Sequence, residues 1–179
     1  MDARKILFYC TLVFSSILEY LVRHYNWWGM LDGRMDSLMH FFWGLNIFLL
    51  LVIWLRWKPA SALYGVFAFQ MVWELVEIVG DSVVIQTLDM MDIFWWDGIK
   101  DTIVDLLGGA LGWLLLLWLP GGLKGLKESP YVRPLQRLPL YMAPGIVIGG
   151  IIWAVTGSSP QLFAVIWITL ACAAAFWKN

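Results

Sequence analysis

Six long apolar blocks, at roughly residues 6–22, 38–57, 60–84, 102–119, 140–156 and 161–177, set the limits on what this chain can become. Crossing a hydrocarbon core of ~30 Å takes about 20 helical residues at 1.5 Å each, and every block is near that length. Charged residues make up 14% of the chain and hydrophobic ones 61%, against roughly a quarter charged in a soluble domain. One globular core cannot hide so much apolar surface. The expected fold class is therefore all-α, a polytopic membrane helical bundle of about six transmembrane helices. The block after Arg4 and Lys5 lacks a small-x-small cleavage pattern and runs on into Glu19, Tyr20 and Arg23, so it reads as a retained span. Cys10 and Cys172 both fall inside apolar blocks and read as packing residues. No basic patch on a soluble domain points to nucleic acid.

Orientation follows from the basic residues. With the N-terminus inside, Arg4, Lys5, Arg56, Lys58, Lys124, Lys127, Arg133, Arg137 and Lys178 fall on the inner side, nine of the twelve. Only Arg23, Arg34 and Lys100 stay outside, so the reading is N-in/C-in. Trp27, Trp28, Trp95 and Trp96 then mark the outer boundary, and Trp57, Trp118 and Trp177 the inner one. Residues 1–119 form a four-helix part, 120–139 a basic loop beside anionic lipid, and 140–179 a C-terminal helical hairpin. Gly108-x-x-x-Gly112 and Gly145-x-x-x-Gly149 offer close helix approach.

The acids are distributed the opposite way. Eleven of thirteen lie at the outer ends of spans one to four or in the outer loops. Three basic residues against eleven acids leave −8 outside, and nine against two leave +7 inside. On the third span Gln70, Glu74, Glu77 and Asp81 share one helix face. On the fourth, Asp101 and Asp105 continue into Gly108 and Gly112; the second contributes Asp36 and His40, the first Glu19 and Arg23. Antiparallel neighbours with short connections are expected to bring these faces together as an outward-opening polar pocket. A lone carboxylate near mid-membrane costs roughly 2.5–3.5 kcal/mol on insertion scales, so such groups need a protein interior, water or a cation. Too few cations are present for all of them. Asp36, His40, Glu77, Asp101 and Asp105 are the expected metal ligands, with Glu74 as general base and Glu19, Arg23, Gln70 and Asp81 as further pocket residues. Carboxylates with one imidazole suit a divalent ion: magnesium, calcium, manganese, iron or zinc. Each member also has a plainer reading. His40 alone fits a hydrogen-bonded interface histidine, Asp101 or Asp105 a charge favoured near a helix N-terminus, and Asp32, Asp89, Asp92 and Asp97 solvated loop charges.

Three segments together resemble VanZ-like and YjdF-like membrane proteins. Residues 36–44, Asp36-Ser-Leu-Met-His40-Phe-Phe-Trp-Gly44, look like the D-x-x-x-H-F-x-x-G/F opening of those families. Trp73-Glu74-Leu-Val-Glu77 looks like their E-x-x-E/Q element, and Asp101 to Gly112 like their D-x-x-x-D/N-x-x-x-G-x-x-x-G close. The resemblance covers residues 36–112 and is nearer the YjdF-like form, because Asp105 and Glu77 stand where VanZ-like proteins often carry Asn and Gln. VanZ-like proteins are associated with glycopeptide resistance, which implies a multi-pass inner-membrane protein with a cell-envelope role. Three functions stay open: a metal-assisted hydrolase or transferase on a lipid or lipid-linked substrate at the outer leaflet, a cation- or proton-coupled transporter with Glu74 as deep relay, and a non-catalytic ligand-binding protein. In the enzyme reading residues 85–100, with Phe94, Trp95 and Trp96, lie in the interface as a lid.

Overall fold

The protein is described by a computed structural model over residues 2–25, 27, 34–84, 94–157 and 161–177. These residues form six helices: α1 (Ala3–His24), α2 (Arg34–Ile53), α3 (Pro59–Val84), α4 (Phe94–Trp118), α5 (Val132–Thr156) and α6 (Gln161–Phe176). Among the described residues no strand forms beyond one isolated bridge, Trp57 to Lys127. Five helices are long and apolar enough to cross a membrane. The chain is an all-α, polytopic membrane protein. The sixth apolar helix is shorter, 16 residues, or about 24 Å at the helical rise.

Several helices start before the apolar blocks do, because hydropathy marks lipid contact whereas a helix is a matter of backbone hydrogen bonds. Asp2 caps α1 by accepting from the Arg4 amide at 3.1 Å. Helix α2 begins at Arg34, ahead of the expected start at 38, and Met35 and Met39 pack against Val22, Leu18 and Trp27. Asp36 and His40 thereby lie on a helix already packed against α1. Helix α4 likewise begins at Phe94, so the segment read as an interfacial lid contributes the opening turns of a helix from residue 94 on. Residues 85–93 and the Phe94, Trp95 and Trp96 side chains lie outside the described residues. Helix α5 begins at Val132 and passes Pro139 and Pro144 inside the helix. Proline removes one intrahelical donor per site, a cost that neighbouring helices in a membrane can offset.

By packing, the chain divides into two units, Met1–Val66 with Asp101–Ser129, and Phe67–Lys100 with Pro130–Asn179. The division cuts across α3 and α4.

The first unit is centred on α2, whose Leu45, Phe48, Leu49, Val52 and Ile53 are buried with Phe8, Ala62, Val66 and Leu116. Gly44 is seated against the Asp105 backbone, Gly108 against Phe41 and Leu45, and Gly112 against Phe48. Residue numbers rise together along this contact, so α2 and α4 run parallel, which requires α3 to return across the bilayer between them. The polar helices that meet are thus parallel and not consecutive, in contrast to the antiparallel neighbours expected. On its other face α2 meets α1, where Asn46 donates from Nδ2 to the Ser15 hydroxyl at 2.7 Å, both side chains buried.

At the inner end of this unit, the loop after α4 is zipped onto the turn between α2 and α3. The Lys127 amide donates to the Arg56 carbonyl at 2.7 Å, and the Lys58 amide to the Lys127 carbonyl at 2.8 Å. Glu128 completes the seam, pairing with Lys58 Nζ at 2.7 Å and accepting from the Ser61 hydroxyl at 2.9 Å. Those two contacts hold its carboxyl below the usual range, Lys58 contributing most.

In the second unit, Met71 on α3 packs with Leu138 and Met142 on α5 and with Ile168, Ala171 and Ala175 on α6. Gly145 faces the Trp167 indole, whose Nε1 donates to the Tyr141 carbonyl at 2.9 Å. Both cysteines are free thiols, Cys10 exposed and Cys172 half-buried.

Candidate metal site

In the first unit, α2 and α4 bring four polar side chains together in otherwise apolar surroundings. Asp36 and His40 are one turn apart on α2, and Asp101 and Asp105 one turn apart on α4. His40 stands between the two helices and divides its ring nitrogens among the acids. Nε2 lies 3.5 Å from Asp101 Oδ2 and 3.8 Å from Asp36 Oδ1. Nδ1 lies 3.2 Å from Asp105 Oδ2.

Burial deepens along the group. Asp36 is half-buried, while His40, Asp101 and Asp105 are only 8%, 3% and 2% exposed. Exposure thus falls from Asp36 to Asp105. One oxygen of Asp105, Oδ1, is buried without a hydrogen-bond partner, an expensive arrangement that a native site keeps for a reason.

Asp36, His40 and Asp101 each offer one ligand atom, and these three atoms lie within 4.8 Å of one another. Ligands of a shared ion with bonds of ~2.1 Å stand about 3.0–3.5 Å apart at octahedral to tetrahedral angles, and somewhat more for calcium. The separations at Nε2 are near that range and exceed those of good direct hydrogen bonds. The three residues could hold a metal ion.

The spacing of the site is set by glycine. A Cβ on Gly44 would lie 2.6 Å from the Asp105 Cα and carbonyl carbon, and one on Gly108 would lie 2.9 Å from the Leu45 amide nitrogen. Both positions are open only to glycine while the helices stay this close. Gly44 is one turn beyond His40 and Gly108 one turn beyond Asp105, so the two contacts fix the separation of α2 and α4 directly beneath the polar cluster.

The remaining expected residues are placed elsewhere. Glu19 accepts from Arg23 within α1 at 2.9 Å, so these two pair with each other along one helix face. Glu74 and Glu77 belong to the second unit. Glu74 is 9% exposed, accepts from Gln70 Nε2 at 2.6 Å and rests its carboxylate against Gly98 in the opening turns of α4. Glu77 is half-buried one turn further along α3. Asp97 is helical and pairs with Lys100. The Asp81 side chain, and Asp32, Asp89 and Asp92 altogether, lie outside the described residues. Asp105 sits on the Nδ1 side of His40, away from the three-residue ligand group. Gly44 and Gly98 are the positions the pattern of acids did not single out. The signal was available for Gly44, which lies four residues after His40.

No protein-family model, curated protein or solved structure matches the chain.

Proposed function

We propose that this is a metal-dependent enzyme of the cell membrane, holding a divalent ion on Asp36, His40 and Asp101 and acting on a lipid or lipid-linked cell-envelope substrate by hydrolysis or group transfer. One observation carries the reading: a buried imidazole presents Nε2 to two carboxylates at separations suited to a shared ion, inside a helix pair spaced by glycine. Intramembrane acids and histidines are costly and mark functional sites, and a purely structural histidine needs one acceptor rather than three carboxylates.

A divalent ion in this place supplies a Lewis acid for a phosphoryl or carbonyl oxygen and lowers the pKa of bound water. Three protein ligands leave further coordination positions for water and substrate. The resemblance to VanZ-like and YjdF-like proteins supports an envelope role. The charge asymmetry supports N-in/C-in topology, with the acidic site on the extracytoplasmic side of a prokaryotic inner membrane.

The test is elemental analysis of detergent-purified wild type beside His40→Ala and Asp101→Asn, followed by a screen of lipid phosphates and esters. Near-stoichiometric metal in wild type, lost in both variants, together with metal-dependent turnover, supports the reading. Wild type that takes up no divalent ion after incubation refutes it. Metal-dependent ion flux in liposomes without turnover would assign the site to transport instead.

A further inference from the structure

We propose that Asp105 is a positioning residue for the metal site, not a ligand: its carboxylate holds the Nδ1–H of His40 so that the Nε2 lone pair is presented to an ion shared with Asp36 and Asp101. This rests on the metal-site reading above and assigns a division of labour within it.

The geometry separates the two roles. The imidazole nitrogens point away from one another across a rigid ring, and each has its own acid at close range. Asp105 Oδ2 is at 3.2 Å from Nδ1, whereas the oxygens of Asp101 and Asp36 gather on Nε2. A neutral imidazole ligates through the nitrogen that carries no proton, and the hydrogen bond made by the other nitrogen decides which one that is. An acceptor at Nδ1 puts the proton there and frees Nε2. Carboxylates commonly serve metal-bound histidines in this way, fixing the ring and raising its basicity.

Asp105 is built for the part. It is 2% exposed, and its backbone is in contact with Gly44, on the turn of α2 that follows His40. The acceptor and the ring it orients are therefore carried on backbone segments that cannot drift apart independently. The i, i+4 pattern D-x-x-x-D on α4 thus contains two different acids. Asp101 lies on the metal side of the ring, and Asp105 lies behind it.

Cobalt(II) titration, read by its visible ligand-field spectrum, tests this on full-length protein in detergent, comparing wild type, Asp105→Asn, Asp105→Ala and Asp101→Asn. Asn still accepts from Nδ1–H through its amide oxygen, so Asp105→Asn should keep the wild-type band shape with modest loss of affinity. Asp105→Ala should bind at the same stoichiometry about 10–100-fold more weakly. Asp101→Asn removes a ligand atom's charge and should alter the band shape itself. Nitrogen-15 histidine spectra of wild type with zinc supply a readout that needs no variant, with Nδ1 protonated and Nε2 metal-bound as the expected pattern. The inference is overturned if the spectra show Nδ1 bound to the metal, or if Asp105→Asn changes the cobalt spectrum as Asp101→Asn does. Wild type that binds neither cobalt nor zinc overturns the metal reading itself, a result distinct from either of these.

Discussion

Gly44→Ala is the substitution with the most to say about the site, because it changes no polar group and acts only on helix spacing. The added Cβ would lie 2.6 Å from the Asp105 Cα, whereas carbon atoms rest at about 3.5 Å or more. The helices must separate by ~1 Å at this level, and His40, one turn earlier on α2, moves with them. Asp36 travels on the same helix and keeps its distance to the ring. Asp101 does not, and its 3.5 Å gap to Nε2 opens to about 4.5 Å. The ligand atoms already spread over as much as 4.8 Å, so further opening works against the contraction that bonds of ~2.1 Å require. The ion then keeps one helix's ligands and loses the other's. Metal affinity should fall by at least 10–100-fold, the range seen when supporting groups are removed, while overpacking costs about 1–3 kcal/mol of stability. Gly112→Ala is the comparison, since its Cβ meets the packed Phe48 ring at 2.8 Å, a side chain rather than backbone, two turns below His40. The assay is competition against a chromophoric chelator, with helicity and elution volume reporting the fold. A folded Gly44→Ala protein with wild-type metal affinity would refute the claim that this contact sets the site.

Three other outcomes are expected. Asp36→Asn should weaken metal binding less than Asp101→Asn, since Asp36 is the half-buried, more distant member of the group; equal losses in equilibrium dialysis would contradict the ranking. Ser15→Ala removes the acceptor of Asn46 and should destabilise the α1–α2 contact by about 0.6–1.7 kcal/mol, while Asn46→Leu, which leaves Ser15 donating to the Leu12 carbonyl, should cost less in reversible unfolding from detergent or bicelles. The Glu128 carboxyl lies below its ordinary value of 4.5 because Lys58 and Ser61 favour the charged form. A depressed carboxylate stabilises the fold above the ordinary value and loses that contribution as pH falls through its own. The thermal-midpoint difference between wild type and Glu128→Gln should therefore be constant from neutrality down to about pH 4.5 and vanish below it; a difference that grows on acidification would reverse the assignment.

Membrane residence and the residues of the cluster were legible because each depends on chemistry that a sequence displays directly. Apolar length specifies spans, and charges inside spans stand out against them. The i, i+4 spacing of Asp36 with His40 and of Asp101 with Asp105 placed each pair on one helix face without further information. What the sequence did not display was which faces meet. Glu19 pairs with Arg23 along α1, and Asp105 lies on the Nδ1 side of His40, placements that depend on side-chain directions. Helices α2, α4 and α5 begin ahead of the apolar blocks at 38, 102 and 140 because Asp36 and Asp101 lower hydropathy without breaking backbone hydrogen bonds, and Pro139 removes only one donor. The spacing role of Gly44 is a steric fact about a neighbour some sixty residues away, and only the fold brings that neighbour close.

The parallel contact of α2 and α4 also sets an order of events. Each helix alone carries half a site, and the halves are joined by a helix that must first traverse the bilayer in the opposite direction. No ion can be gripped by both until the fourth helix has inserted beside the second and the Gly44 and Gly108 surfaces have closed. A chain arrested after α3 holds Asp36 and His40 without Asp101, so under the metal-site proposal it has only two of the three ligands. On the metal-site proposal, loading becomes a signal of finished assembly, and because a ligand held only by the completed fold stabilises it by mass action, the same contact that times the loading makes the α2–α4 pairing harder to undo afterwards.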